Sequence, residues 1–143
     1  IVIGASCDTN EVHFAWLNTP KNNGGIEGVT YPILADTTRN LSAELGILDI
    51  DMEYDETFDG ELLVGSNVTY RATYLIDEEG KIFHESVNDM PLGRNVNEYL
   101  RLIDAYTHVQ TKGEVCPANW EEGKDAMKAN RTSTAEYLAS HKN

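Results

Sequence analysis

The stretch that decides the fold is Ile1–Trp16, which has the sequence IVIGASCDTNEVHFAW. Ile1–Ser6 is a short apolar run of the kind that is buried on both faces of a parallel sheet. Asp8 can cap the helix that follows, and Glu11, three residues later, completes a capping-box pattern. A strand, a cap and a helix in this order open a βαβ unit, so the stretch predicts an α/β protein.

The rest of the chain continues this alternation. Further strands are predicted at Tyr31–Leu34, Val68–Ile76 and Lys81–Val87, with a hairpin turn at Asp77–Gly80 between the last two. Further helices are predicted at Leu41–Leu45 after a cap at Asp36–Thr38, at Val96–Gln110 after a capping box of Asn95 and Glu98, and near the C-terminus from Ser133-x-x-Glu136. This order is that of the latter part of a thioredoxin-like fold. We expect an N-terminally incomplete core at residues 1–111 and a C-terminal arm at residues 112–143.

Composition and charge narrow the class of protein. The chain has 143 residues, of which 41% are hydrophobic and 24% charged, as is usual for one globular domain. Its formal charge of −13 would repel a phosphate backbone, so we expect neither nucleic acid nor a membrane surface as a partner. The absence of a membrane-length apolar run or a signal peptide, together with only two cysteines, predicts a reducing, cytoplasmic location.

One of these cysteines lies in the segment Gly113–Trp120, with the sequence GEVCPANW, which follows the longest helical pattern. Pro117 has no backbone N–H, so the helix cannot continue through it, and it biases Cys116 towards an extended conformation. We expect Cys116 on a stiff segment beyond the packed domain, with Trp120 available to dock that segment. A buried, inert thiol is the alternative interpretation of a Cys-Pro pair.

Together these stretches resemble the typical two-cysteine peroxiredoxins, the family that includes the peroxidase component of bacterial alkyl hydroperoxide reductase. The resemblance covers nearly the whole chain. The matching stretches, in chain order, are Val2–Ser6 with Asp8, His13-x-x-Trp16, Asn18–Lys21, Gly24–Gly25, Pro32–Asp36, Tyr70–Ala72, Ile76–Gly80, Val87–Asp89, Gly93–Arg94 and Gly113–Trp120.

The resemblance implies a thiol-dependent peroxidase that reduces hydrogen peroxide and alkyl hydroperoxides. In that family a peroxidatic cysteine is oxidised to a sulfenic acid, and a resolving cysteine of the partner subunit condenses with it to a disulfide. A thioredoxin-like protein or a flavoprotein reductase then reduces the disulfide. The resemblance also implies a homodimer that assembles into a decameric ring, and it implies neither a cofactor nor a metal.

Three residues of this chain match functional positions of the family. Cys116 matches the resolving cysteine, and the carboxylates that flank it, Glu114, Glu121 and Glu122, disfavour its thiolate. Arg71 matches an arginine that stabilises the peroxidatic thiolate and polarises the peroxide, and Arg94 matches a second arginine of the same ion-pair network. Because Arg71 falls inside a predicted strand, we expect it to have an anionic partner; a plain buried salt bridge is the alternative role.

The family's peroxidatic motif, Pro-x-x-x-Thr or Ser-x-x-Cys, does not occur in the sequence. Cys7 aligns with a position that is usually aliphatic, and Asp8 beside it opposes a thiolate, so we do not expect it to be redox-active. The missing unit would comprise about 30 residues or more ahead of Ile1. A non-catalytic thioredoxin-fold chaperone or structural module is therefore the alternative function, which a native N-terminus at Ile1 would favour.

Further stretches of the sequence suggest hypotheses about a metal site and about sensitivity to overoxidation. Asp49–Glu61 has seven carboxylates in thirteen residues and predicts a solvated acidic loop. A calcium-binding module is its alternative, although Tyr54 stands where a calcium loop needs glycine. Gly24–Glu27 and Tyr137–Leu138 resemble, imperfectly, the Gly-Gly-Leu-Gly and Tyr-Phe motifs of peroxide-sensitive peroxiredoxins, which predicts intermediate sensitivity to overoxidation.

Overall fold

The computed structural model describes residues 1–57 and 59–141. The strands are β1 (Gly4–Ser6), β2 (Ile33–Ala35), β3 (Asp51–Asp55), β4 (Gly60–Val64), β5 (Arg71–Ile76) and β6 (Ile82–Asn88). The helices are α1 (Asn10–Leu17), α2 (Asn40–Glu44), α3 (Val96–Lys112) and α4 (Arg131–Ser140), with one 3-10 turn at Lys21–Asn23. Phe58, in the predicted acidic loop, and Lys142 and Asn143, in the predicted arm, lie outside the described residues.

The chain divides into two compact units. Unit 1 contains the described residues of 1–74 together with 85–93, and unit 2 contains residues 75–84 and the described residues from 94 onward. The boundary between a core at 1–111 and an arm at 112–143 stays a prediction.

Unit 1 opens with the predicted βαβ unit. Strand β1 pairs in parallel with β2, with Gly4 opposite Ile33, and α1 connects them. The cap of α1 is Thr9 rather than Asp8, because the Thr9 hydroxyl accepts the N–H of Val12 at 3.4 Å. The Asp8 carboxylate instead accepts the hydroxyl proton of Ser6 at 2.8 Å.

The prediction that Ile1–Ser6 is buried on both faces is wrong for this chain. Val2 and Ile3 are 63% and 58% exposed, and Ala5 is exposed as well. In the described part of the chain, β1 has β2 as its single neighbouring strand. Two strands with one connecting helix present too little surface to cover both faces of the first strand.

The Asp36 side chain binds the start of α2, although the N-cap residue is Arg39, outside the predicted Asp36–Thr38, and Arg39 makes no side-chain capping bond. Its carboxylate accepts the backbone N–H groups of Leu41 and Ser42, at 3.2 and 2.9 Å, and the Ser42 hydroxyl at 2.6 Å. These bonds satisfy donors at the helix start that have no partner within the helix. The helix ends at the predicted glycine, since Gly46 adopts a left-handed φ of 65°.

The predicted acidic loop at Asp49–Glu61 is wrong, because the stretch belongs to an antiparallel hairpin. Strand β3 pairs with β4, with Met52 opposite Leu63, and both side chains are more than half exposed. The carboxylates alternate with Met52 and Tyr54, which is the period of a strand. Among the described residues, no group of three His, Cys, Asp or Glu side chains is placed to hold a metal, so the calcium alternative gains no support.

The last predicted elements are present with altered ends. Strands β5 and β6 pair as a hairpin, and Gly80 closes its turn with a φ of 82° and a bond to the Asp77 carbonyl. The capping box at α3 does not form, because the Asn95 side chain makes no capping bond and the Glu98 carboxylate binds Arg101.

Helix α4 begins before the predicted Ser133 start. Its cap is Asn130, whose side chain accepts the Ser133 N–H at 2.9 Å. The expected apolar face is not buried, since Leu138 is 62% exposed and the Tyr137 ring stacks on His141 at 4.1 Å. Over the residues that the structure describes, no helix is both long and apolar enough to span a membrane.

Candidate active site

The chain reverses direction directly after α3. Gly113 adopts a left-handed φ of 65° and donates its N–H to the carbonyl of Val109. We call residues 114–128 the return segment. Its two ends are joined by paired backbone bonds between Val115 and Met127, at 2.7 and 3.2 Å. Between them, the Trp120 N–H donates to the Pro117 carbonyl at 3.1 Å and forms a turn.

The return segment lies against one face of α3. Arg101, Ala105 and His108 are spaced four and three residues apart, which places them on the same helix face. Three contacts join this face to the segment: His108 Nε2 to Glu114 Oε2 at 2.9 Å, Cys116 Sγ to the Ala105 carbonyl at 3.7 Å, and Arg101 to the Trp120 carbonyl at 3.0 Å. The segment therefore runs antiparallel to α3, and Cys116 occupies the middle of the contact.

Trp120 anchors the segment, as its position in the sequence predicts. Its side chain is 2% exposed, its indole N–H donates to the Lys124 carbonyl at 3.0 Å, and its ring centroid lies 4.9 Å from that of His108. The segment is docked on α3 rather than lying beyond the packed part of the chain.

The environment of Cys116 favours the protonated thiol. Burial raises the pKa of the Cys116 thiol above its ordinary value, the positive charge of Arg101 opposes this, and the Glu114 carboxylate adds to it. The predicted direction is correct, but the leading cause is burial rather than the flanking carboxylates. Glu121, expected to act on the sulfur, pairs with Lys124 at 2.9 Å. A thiol held in this way suits a resolving sulfur better than an attacking one.

Arg71 lies in unit 1, as the first residue of β5, and its side chain is exposed. Its Nε donates to the backbone carbonyl of Met90 at 3.1 Å. The expected anionic partner is not found among the described residues. At an exposed strand end a guanidinium can be solvated by water, so a neutral carbonyl is a sufficient acceptor.

Arg94 lies in unit 2, in the exposed connection that leads into α3. The ion pairs formed between described residues include neither Arg71 nor Arg94. Of the three predicted site residues, Cys116 is the one that the structure places within a network of side-chain contacts. The catalytic roles of all three remain predictions.

Cys7 and Cys116 are both free thiols, and Cys7 follows directly on β1. The half-buried Cys7 sulfur has the hydroxyl of Ser42 at 3.9 Å. Whether Cys7 is redox-active stays a prediction.

The sequence analysis matched His13 to the family but gave it no role; the residue is 4% exposed on α1. Its Nε2 lies 2.7 Å from the Ser6 hydroxyl, and that hydroxyl donates its single proton to Asp8. Nε2 is therefore the donor, and Nδ1 is a buried nitrogen that has no hydrogen-bond partner in the described part of the chain. The sequence signal was a lone histidine between apolar positions of a helix.

The glycine-rich loop at Lys21–Gly28 folds back on the end of α1. The Trp16 indole N–H donates to the Gly24 carbonyl, and the Ile26 N–H donates to the Trp16 carbonyl, both at 3.1 Å. A Cβ on Gly25 would lie 1.8 Å from the Thr19 carbonyl oxygen, so only glycine fits there.

Two family models cover most of this chain. That of the AhpC/TSA family matches residues 1–85, and that of the C-terminal domain of 1-Cys peroxiredoxin matches residues 105–140. The chain belongs to the AhpC/TSA family. The predicted resemblance to peroxiredoxins is thereby confirmed.

Relatives of this AhpC/TSA chain agree with the assignment. Alkyl hydroperoxide reductase C of Helicobacter pylori is 44% identical over 137 residues, which are 96% of this chain and 62% of the relative. Peroxiredoxin-2 of Macaca fascicularis is 39% identical over 140 residues, which are 98% of this chain and 64% of the relative. The AhpC/TSA chain thus spans less than two thirds of the length of these relatives.

Solved structures agree with the predicted fold. The reduced 2-Cys peroxiredoxin of Plasmodium vivax superposes with a TM-score of 0.81 at 36% identity, covering 96% of this AhpC/TSA chain and 63% of the neighbour. A peroxiredoxin 6 structure from Arenicola marina gives a TM-score of 0.71 at 30% identity, covering 96% and 59% of the two chains. The α/β, thioredoxin-like fold is confirmed.

Proposed function

We propose that the protein is a thiol-dependent peroxidase for hydrogen peroxide and alkyl hydroperoxides, in which Cys116 is the resolving cysteine. The observation that carries the proposal is the placement of Cys116, whose protonated thiol is held in the middle of a short segment docked on α3. Membership of the AhpC/TSA family supports it. The reaction also needs an attacking cysteine, which we place outside residues 1–143.

The proposed reaction has three steps. The attacking thiolate displaces an alcohol or water from the peroxide O–O bond and becomes a sulfenic acid. The Cys116 sulfur then attacks that sulfenic sulfur, which forms a disulfide and releases water. A dithiol reductase, either thioredoxin-like or flavoprotein-dependent, returns both thiols by exchange and supplies the two electrons.

Arg71 and Arg94 fit the charge requirement of the first step. The Nε of Arg71 donates to the Met90 carbonyl, and its two terminal nitrogens have no hydrogen-bond partner within the described part of the chain. A guanidinium with free terminal N–H groups can bind a thiolate or the peroxide oxygens. For Arg94 the support is its exposure and its match to the family arginine.

The proposal includes an assembly and a location. Large apolar side chains stay exposed on the described chain, among them Phe14 at 71% and Leu63 at 58%. Such surface supports burial against other chain segments or subunits, in a homodimer and its decameric ring. Two free thiols support a reducing, cytoplasmic compartment.

Intermediate sensitivity to overoxidation also belongs to the proposal. The Gly24–Glu27 loop is ordered against α1, whereas Leu138 on α4 is exposed. The hypothesis predicts that the yield of sulfinic acid changes when residues 128–143 are deleted, and equal yields would contradict it.

The test of the function is peroxide turnover in the whole protein with its reductase, for wild type and Cys116→Ser. When a dithiol reductase is the electron donor, we expect the variant to consume one equivalent of peroxide and then stop, because no disulfide forms for the reductase to reduce. Cys7→Ser is the matched control and should turn over like the wild type. No peroxide consumption by the wild type would favour the non-catalytic chaperone or structural module instead.

A further inference from the structure

The contacts between α3 and the return segment match positions along the helix to positions along the segment. From Arg101 to His108 the helix rises about 10 Å. The facing stretch from Glu114 to Trp120 could extend to about 20 Å if it were straight. The turn between Pro117 and Trp120 shortens it, so that both ends meet their partners on the helix.

Arg101 is the centre of the contact at the Trp120 end. Its Nε and one terminal nitrogen donate to the two oxygens of Glu98, each at 2.7 Å, and its other terminal nitrogen donates to the Trp120 carbonyl at 3.0 Å. The bidentate pair fixes the plane of the guanidinium and so aims the remaining N–H at the carbonyl. Its side chain is 25% exposed, which limits competition from water.

The neighbouring contacts continue along the segment from this one. Trp120, held through its carbonyl, packs its ring against His108, and His108 in turn bonds Glu114 on the other side of Cys116. Cys116 is thus held between two anchored points, and its own bond to the Ala105 carbonyl, at 3.7 Å, is a weak sulfur contact.

We propose that Arg101 is a positioning residue for the resolving step, because its bond to the Trp120 carbonyl keeps Cys116 docked on α3 and sets how readily the sulfur becomes available. The proposal rests on the proposed role of Cys116 as the resolving cysteine. Arg101 itself exchanges neither protons nor electrons in the reaction.

Arg101 acts on Cys116 in two ways that a pH profile separates. Burial is the main cause that raises the pKa of the Cys116 thiol, and the Arg101 charge lowers that pKa. If removal of Arg101 undocks the segment, burial is relieved and the pKa falls towards an ordinary thiol value. If the segment stays docked, only the charge is lost and the pKa rises.

The experiment measures the rate of Cys116 alkylation by iodoacetamide against pH in the whole reduced protein, with the modified peptide followed by mass spectrometry. For Arg101→Gln we expect the high-pH plateau rate to rise about tenfold, since a charge-assisted bond to a docked carbonyl is lost. We also expect the midpoint of the profile to fall. Arg101→Lys keeps the positive charge but not the bidentate guanidinium, so its plateau rate should lie between those of the wild type and Arg101→Gln. Arg131→Gln, at the exposed start of α4, is the control and should match the wild type.

A higher midpoint with an unchanged plateau would overturn the proposal, and so would a wild-type profile. If Arg101→Gln does not fold by circular dichroism, Glu98→Gln loosens the clamp while Arg101 is kept, and it should raise the plateau in the same direction. An unchanged plateau in a folded Glu98→Gln protein would then overturn the proposal. Alkylation needs no peroxide, so this result is independent of whether Cys116→Ser abolishes turnover.

Discussion

Replacement of Trp120 by alanine tests how firmly the return segment is held. Trp120 is the anchor of residues 114–128, with 2% of its surface exposed and its indole N–H bonded to Lys124. Trp120→Ala removes both the ring and the bond, and leaves a cavity against α3. We expect the segment to open far more often while α3 itself stays folded.

The magnitude follows from the burial. Truncation of a buried tryptophan to alanine costs about 3–5 kcal/mol. Because about 1.4 kcal/mol changes an equilibrium constant tenfold, this loss of stability raises the open fraction of the segment by roughly 100-fold or more. Trp120→Phe keeps most of the buried ring and loses chiefly the bond to Lys124, which is worth about 1 kcal/mol, so it should raise the open fraction about fivefold.

Amide hydrogen exchange of peptides that cover residues 114–128 measures this opening directly. The control is Trp16→Ala, since the other tryptophan is 41% exposed and lies in unit 1. It should leave exchange in the return segment unchanged. Exchange of that segment within about twofold of wild type in a folded Trp120→Ala protein would refute the anchoring argument.

Two further predictions concern unit 1. Gly25→Ala puts a Cβ 1.8 Å from the Thr19 carbonyl oxygen and should cost about 2–3 kcal/mol in urea unfolding. Gly93→Ala, whose Cβ meets nothing within 4 Å, should change stability by less than about 1 kcal/mol; equal effects would contradict this account. The pKa of Asp36 lies below its ordinary value, chiefly because the Ser42 hydroxyl donates to it, so its contribution to stability is present above about pH 4 and lost as the pH falls through the folded pKa. Asp36→Asn should therefore be less stable than wild type at neutral pH and converge with it as the pH falls through the folded pKa, as followed by urea midpoints across pH; a constant difference would contradict the linkage.

The sequence predicted those parts of the fold that rest on local pattern. The βαβ opening, the Asp36 bonds at the start of α2 and the hairpin turn at Asp77–Gly80 each combine a period with a turn or capping residue within a few positions. Cap positions were the least accurate. At α1 the cap is Thr9, one residue after Asp8, and at α4 it is Asn130, three residues before Ser133; all four residue types can cap a helix.

The acidic hairpin was missed because its charge obscured its period. The carboxylates of β3 alternate with Met52 and Tyr54, but their number favoured a solvated loop. Arg71 was misjudged for a different reason. Its pattern predicted a strand interior, whereas the strand begins at Arg71 and leaves the guanidinium in solvent.

The candidate site could be predicted only in part. Cys116 and Trp120 are apparent from the residues around Pro117. The contact of Arg101, Ala105 and His108 with the return segment could not be predicted, because it depends on the chain reversal at Gly113 and on the turn before Trp120. Contacts of this kind join residues up to 19 positions apart, and no helical period encodes them. Burial, the main cause of the raised Cys116 pKa, likewise exists only once the segment is docked.

The most direct test of the role of Cys116 is to map its disulfide after the whole protein is treated with one equivalent of hydrogen peroxide. Peptide mass spectrometry under non-reducing conditions identifies the partner sulfur. The account predicts that Cys116 is joined to a cysteine outside residues 1–143, in a dimer that reducing agent separates. Cys116 recovered as a free thiol, or joined to Cys7, would contradict it.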